Sequence, residues 1–126
     1  MTDIHCHILP DFDDGAADLA ESLIMAQMAV TSGVSGIVVT PHFRGERESL
    51  ALLPLLVERY EELIQAVRQE NLSLRIYPGA EILCLPETVE LAREGQLPTI
   101  ANTDYLLVEF YFNASLGFLE ETLDAL

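Results

Sequence analysis

The residues best suited to chemistry in this chain are its three histidines, His5, His7 and His42, and a few of its many acidic residues. His5 and His7 stand one residue apart in Asp3-Ile4-His5-Cys6-His7. Alternate residues of a strand point the same way, so both imidazoles can aim at one ion while Cys6 faces away. Neutral imidazole suits zinc, manganese or iron. A lone His-x-His is a weak sign, because two histidines in an exposed terminus look the same. Its weight depends on what else shares its face.

Further donors follow along the chain. Asp11-Phe12-Asp13-Asp14-Gly15 lies in the loop after the first strand, and carboxylates clustered near histidines suit a hard or borderline cation. An Asp-capped turn explains the same residues. Asp18 takes the N-cap of the next helix, so Asp14 is read as the ligand. Thr40-Pro41-His42 ends the second strand, and Gly79-Ala80-Glu81 follows the third. The glycine lets the backbone approach closely, and the two oxygens of Glu81 can bridge two ions. Glu109 sits inside Leu106-Leu107-Val108-Glu109-Phe110, where a lone charge is costly to bury unless paired or metal-bound. The six candidate ligands are thus His5, His7, Asp14, His42, Glu81 and Glu109. All are expected at C-terminal ends of strands, the face on which barrel enzymes build their sites. Cys6 and Cys84 are read as core or supporting residues. The chain contains no Cys-x5-Arg loop, P-loop or Ser-His-Asp arrangement.

Charge narrows the partners. Against 21 Asp and Glu stand 6 basic residues, all arginine, for a net charge of −15. Nucleic acid and anionic membrane both need a basic footprint, so neither is an expected partner. A phosphorylated substrate would be repelled too, unless bound cations reverse the local field. No apolar run approaches the ~20 residues that cross a bilayer, and the first residues lack the pattern of a signal peptide. Two cysteines make no disulfide framework, and a reduced, cytoplasmic setting is expected.

The elements that must position these donors alternate regularly. Asp3-Ile4-His5 forms a first strand. Asp18, with Glu21 three residues on, opens a helix carrying Leu19, Leu23, Ala26 and Val30 on one stripe, and Gly33 ends it. Gly36–Thr40 is an apolar strand of the kind covered on both faces. After a polar connection, Arg44–Glu48, a second helix aligns Leu56, Tyr60, Leu63, Ile64 and Val67, with Pro54 in its first turn. Leu74–Tyr77 is a third strand, Pro86 starts a short helix that Gly95 stops, Tyr105–Phe110 is a fourth strand, and Leu116–Leu126 begins another helix. Strand and helix in alternation specify an α/β fold with a parallel sheet. Four such units make the N-terminal half of a (β/α) barrel, one partial domain over residues 1–126. The helical pattern runs to Leu126 without a cap, so a truncated product or a barrel wall supplied by another chain is expected. Open strand edges and apolar helix faces are normally covered, and homo-oligomerisation follows as an expectation.

With these residues in order, the chain resembles the PHP (polymerase and histidinol phosphatase) superfamily. More closely, it is similar to the bacterial manganese-dependent protein-tyrosine phosphatases encoded with capsular and exopolysaccharide genes. The stretches that carry the resemblance are Asp3–Pro10, Asp13-Asp14-Gly15, Ala16–Ala26 with its Glu21-Ser22-Leu23, Thr40-Pro41-His42, Pro78-Gly79-Ala80-Glu81 and Leu107-Val108-Glu109-Phe110. The resemblance implies a distorted TIM-like barrel holding two or three divalent ions, manganese first, with iron, zinc or magnesium as alternatives. It places His5, His7 and Glu81 on one ion, Glu81 and Glu109 on a second, and Asp14 and His42 on a third. The activity implied is hydrolysis of a phosphotyrosine protein, such as a bacterial tyrosine kinase, by a metal-activated water without a side-chain nucleophile. A histidinol-phosphate type phosphatase and a non-catalytic metal-binding remnant are the alternatives. The family's later Ala-His-Pro-Glu-Arg stretch and its final Asp-x-His pair are absent from these 126 residues.

Overall fold

The computed structural model describes all 126 residues, Met1–Leu126. In chain order it forms β1 (Thr2–Cys6), α1 (Leu19–Thr31), β2 (Gly36–Val39), β3 (His42–Arg44), α2 (Leu53–Gln69), β4 (Arg75–Tyr77), β5 (Glu81–Leu83), α3 (Thr88–Arg93), β6 (Leu107–Glu109) and α4 (Leu116–Ala125). Short 3-10 turns cover Arg47–Leu52 and Ile100–Asn102. Helix α1 starts where the sequence places it. Asp18 accepts the Glu21 N–H at 2.8 Å, and the Glu21 carboxylate reaches back to the Ala17 N–H. It ends at Ser32, after which Gly33 takes a left-handed φ of 88°.

Every strand pairing is parallel. One ladder has the order β1-β2-β4 and the other β3-β5-β6. The two are stacked along the same chain path, because β3 continues β2 across Thr40-Pro41 and β5 continues β4 across Pro78-Gly79-Ala80. Four strands were expected, and the prolines divide two of them. Proline has no N–H to give a ladder, so the pairing is interrupted at Pro41 and Pro78. The breaks are stitched from the acceptor side: Thr40 N–H donates to the Cys6 carbonyl and Glu81 N–H to the Pro41 carbonyl, each at 2.9 Å. His42 and Glu81 therefore do not end strands, as expected from sequence. They open the upper segments, with two strand residues beyond each. Arg44, expected in a polar connection, belongs to β3. The fourth strand is narrower than the sequence suggests, with Tyr105, Leu106 and Phe110 outside the ladder.

Register decides which side each residue serves. Ile37 and Val39 join Ile8, Leu9, Ala26, Leu56, Leu63 and Val67 in a core between the lower ladder and the two long helices. Phe43 and Ile82, with Ala80, Leu91 and Leu97, form a second core under the upper ladder. The residues between them point the other way. His42, Glu81 and Leu107 lie in register, and Arg44, Leu83 and Glu109 form the next rung. Strand β1 carries an irregularity between Asp3, paired with Ile37, and Cys6, paired with Val39. A regular ladder would have set His5 opposite Val39, whose side chain faces the helices. The extra residue puts Cys6 there and frees His5 for the other face, the reversal a one-residue slip produces.

The helices do what their stripes require. Leu56, Leu63, Ala66 and Val67 of α2 are buried, and the Tyr60 hydroxyl donates to the Ile76 carbonyl at 2.9 Å. Ser22 of α1 donates to the Ile8 carbonyl at 2.6 Å, fixing the exit of β1. The outer strands β1 and β6 each have one neighbour, and Ile24 and Met28 of α1 are exposed. No helix is long and apolar enough to cross a membrane.

Gly79, at the break between β4 and β5, is one of the close approaches in this frame. A Cβ there would stand 2.8 Å from Val38 Cγ1 and 2.9 Å from the Val39 carbonyl oxygen. Gly79→Ala is expected to lose about 1–3 kcal/mol, the usual cost of overpacking, read as a lower urea midpoint in EDTA. An unchanged midpoint would show that the break at residues 78–80 yields freely.

Candidate metal centre

The site is assembled around the buried carboxylate of Glu81, whose side chain is 10% exposed. Its Oε2 stands 3.0 Å from His5 Nε2, 3.1 Å from His7 Nε2 and 3.5 Å from His42 Nδ1. His5 Nε2 and His7 Nε2 are 3.2 Å apart. Three different stretches of backbone bring these groups together: the irregular end of β1, the Pro41 break before β3, and the Gly79 hinge before β5. Glu109 was expected to be the buried carboxylate, and Glu81 is the more buried of the two. Glu109 is 30% exposed and reaches His42 Nδ1 at 2.9 Å through Oε1.

The loop after β1 contributes two carboxylates, Asp14 as expected and Asp13 beside it. Asp14 is 83% exposed, and its Oδ1 lies 3.6 Å from His42 Nε2. Its neighbour Asp13, passed over in the sequence, has the sheltered side chain, 6% exposed. Asp13 Oδ2 lies 3.0 Å from His7 Nδ1 and accepts the His42 N–H at 2.9 Å, while Oδ1 accepts the Gly15 N–H at 2.9 Å. Burial opposes ionisation of Asp13, but the hydrogen bonds from His7, His42 and Gly15 outweigh it and hold the carboxyl below its ordinary value. Asp-x-Gly was the available signal, since such a turn sends one oxygen to the backbone and leaves the other free. Gly15 is needed for the close approach, because a Cβ there would meet the His7 carbonyl oxygen.

Electrostatics ties the far side together. Burial pulls the His42 imidazole down, but its hydrogen bond to Glu109 and the nearby charges of Glu109, Glu81 and Asp14 raise it above its ordinary value. Burial pushes the thiols of Cys6 and Cys84 up to about 11. Cys6 packs toward the helix-side core, and Cys84 is buried. Neither thiol is poised as a nucleophile. The donors line an open face; a hollow of about 630 Å³ lies elsewhere, along α3 and the end of α4.

The donor set fits divalent cations. Three overlapping groups, His5-His7-Glu81, His42-Glu81-Glu109 and His7-Asp13-Asp14-His42, each bring their ligand atoms within 4.8 Å of one another. With bonds of about 2.1 Å, two donors on one ion stand roughly 3.0 Å apart at octahedral and roughly 3.4 Å at tetrahedral angles. The edges of the His5-His7-Glu81 triangle, 3.0, 3.1 and 3.2 Å, are of that size. His7 spends Nδ1 on Asp13, which leaves Nε2 for an ion, the tautomer arrangement usual for metal-bound histidine. All six residues expected from sequence belong to these groups, and Asp13 joins them.

Fold and site together define a parallel α/β protein with a histidine–carboxylate centre suited to more than one ion. The chain belongs to the capsular polysaccharide synthesis family CpsB/CapC, whose model it matches over residues 1–126. It is 38% identical over 124 residues to the tyrosine-protein phosphatase YwqE of Bacillus subtilis, covering 96% of this chain and 47% of that protein. Identity is 33% over 113 residues with the putative tyrosine-protein phosphatase CapC of Staphylococcus aureus, covering 90% and 44%. It is 30% over 117 residues with the tyrosine-protein phosphatase CpsB of Streptococcus pneumoniae, covering 91% and 47%. The chain thus spans about half the length of the curated relatives it matches. Among solved structures, it superposes with a TM-score of 0.83 at 36% identity on a chain from the crystal structures of YwqE of B. subtilis and CpsB of S. pneumoniae, which are described as unique metal-dependent tyrosine phosphatases. That match covers 96% of this chain and 49% of the other.

Asp13 supplies a test independent of any ion. Asp13→Ala leaves the N–H groups of His42 and Gly15 without their acceptor, and a loss of about 1–3 kcal/mol is expected from urea unfolding in EDTA. Asp13→Asn, which keeps an acceptor oxygen, should recover part of it. Equal midpoints for the parent and both variants would mean that the loop does not depend on this side chain.

Proposed function

We propose that this chain holds two or three divalent cations and hydrolyses phosphotyrosine on a protein substrate. The observation that carries the proposal is the convergence of three imidazoles on one oxygen of the buried Glu81. His5, His7 and Glu81 would hold one ion, Glu81 and Glu109 a second, and Asp14 and His42 a third. Asp13 would keep His7 in the ligating tautomer. Manganese is the metal proposed, with iron, zinc and magnesium as the comparisons to make. When bound, such ions neutralise phosphoryl oxygens and acidify the attacking water.

The chain's own residues do the rest. Glu81 and Glu109 would hold the neighbouring ions, and the His42–Glu109 pair ties β3 to β6 across β5. In a chain of net charge −15, a phosphate dianion is attracted only where bound cations invert the field. The open face suits a phosphate carried on a protein, since the side chains of His5 and His42 are 48% and 41% exposed. The relatives named as tyrosine-protein phosphatases support the substrate class, and the capsule-synthesis family supports a tyrosine-phosphorylated protein of that system, such as a bacterial tyrosine kinase. We read the parallel sheet as the N-terminal half of a distorted (β/α) barrel, working in the reducing interior of the cell. Self-association, by covering the edges of β1 and β6, is part of the same proposal, and sedimentation of the metal-loaded chain tests it.

The decisive assay compares turnover of para-nitrophenyl phosphate and of a phosphotyrosine peptide after EDTA treatment and after Mn²⁺ is restored. Turnover should depend on the metal, fall to background in His5→Ala, and accompany about two or more bound ions per chain. The Cys6→Ala/Cys84→Ala variant should retain it. Equal rates in the parent and His5→Ala, or loss of turnover in the cysteine variant, would overturn the proposal.

A further inference from the structure

We propose that Arg44 is the substrate-side cation of this centre, donating to a phosphoryl oxygen of the bound phosphate monoester while Tyr111 and Glu46 hold its guanidinium ready. The proposal rests on the phosphoester-hydrolase function proposed above and names the residue that would meet the substrate from the protein side.

Arg44 lies on the rung that aligns it with Leu83 and Glu109, two residues beyond His42 on the same strand. Side chains two apart share a face, so Arg44 stands one rung above His42 and Glu81, on the side where the donors converge. Its Nε donates to Glu46 Oε1 at 2.8 Å, and one terminal nitrogen donates to the Tyr111 hydroxyl at 2.9 Å. Tyr111 follows Glu109 by two residues, so this contact runs from β3 to the end of β6, above β5. A guanidinium has five N–H donors. Two are committed to these partners, and three remain for an incoming anion.

The other cations are placed elsewhere. Arg47 pairs with Glu94, and Arg59 with Asp11 and Glu62. Arg68 and Arg93 stand in the last turns of α2 and α3, and Arg75 opens β4 on the lower ladder. The chain has no lysine. A phosphate monoester carries three non-bridging oxygens, and the donor groups described above would present cations to one side of it. A planar guanidinium is the side chain whose geometry matches the oxygens left over. An exposed Arg–Glu pair by itself contributes little to stability, so a purely structural role explains poorly why the charge sits on this rung.

The test uses the metal-loaded full chain and two readouts: calorimetric binding of inorganic phosphate, and the KM and kcat for para-nitrophenyl phosphate. Arg44→Ala should weaken phosphate binding roughly tenfold or more, with KM rising in step and metal content unchanged. Arg44→Lys should recover part of the affinity, because it restores the charge without the fork. Tyr111→Phe, which loosens the guanidinium, should raise both constants to a smaller degree at an unchanged melting temperature. If Arg44→Ala melts early, Arg44→Gln, neutral but still a donor, should show the same weakening. Parent-like phosphate binding in the neutral variants of an active parent overturns the role of Arg44. Loss of bound metal in those variants overturns it too, by making Arg44 a support of the ligands. A parent that neither binds phosphate nor turns over substrate fails the phosphatase proposal itself, and this one with it.

Discussion

One carboxylate oxygen, Oε2 of Glu81, lies within 3.5 Å of all three imidazoles in the chain, and much of the fold can be understood as what keeps it there. A buried carboxylate needs hydrogen-bond partners or a cation to offset its desolvation. Glu81 can have them only if β1, β3 and β5 deliver their side chains to one point. Each delivery uses a local irregularity. The extra residue in β1 turns His5 to the donor face, Pro41 breaks the second strand just before His42, and Gly79 lets the third bend close under Val38 and Val39. A perfectly regular parallel sheet would have sent part of this set into the helix-side core.

Burial is distributed among the acidic groups in a way that suits their separate tasks. Asp13 and Glu81 are sheltered and take several partners each, whereas Asp14 stands in solvent and Glu109 is intermediate. The sheltered pair sets geometry: Asp13 clamps the loop and the His7 ring, and Glu81 centres the site. The more exposed pair faces outward, where an incoming group and its cations would meet them. The remaining acidity of the chain makes the same demand on the whole face. Without cations it repels anions, and with them a narrow region of reversed sign would stand in an otherwise negative surface. Arg44 lies on the border of that region.

The two apolar cores explain how a chain so interrupted stays ordered. The lower ladder is clamped by α1 through Ala26 and by α2 through Leu56, Leu63 and Val67, and the upper ladder is held by a smaller set around Phe43, Ile82 and Leu91. Phe12 and Leu53 touch both, so the loop bearing Asp13 and the start of α2 connect the two halves at the level of the donors. Changes in either core are therefore expected to reach the site through packing, because close-packed interiors transmit small displacements.

Much of this protein was legible in its sequence. Periodicity located the helices, the Asp18–Glu21 cap fixed the start of α1, and the order of strand and helix specified the parallel α/β class. The residue types of His5, His7, His42, Glu81 and Glu109 pointed to metal chemistry because few other tasks gather neutral imidazoles and carboxylates in one chain. What sequence could not decide was facing and burial. Alternation puts His5 and His7 on one side of a strand, but which side depends on the register with β2, a long-range pairing. That Asp13, and not Asp14, is the enclosed carboxylate of the loop depends on His42 arriving from a distant strand to donate its N–H. Arg44 read as part of a polar connection until the break at Pro41 restarted the strand and set it level with Glu109. Local preferences chose the elements and the donors; only the packing of strands far apart in sequence could choose their partners.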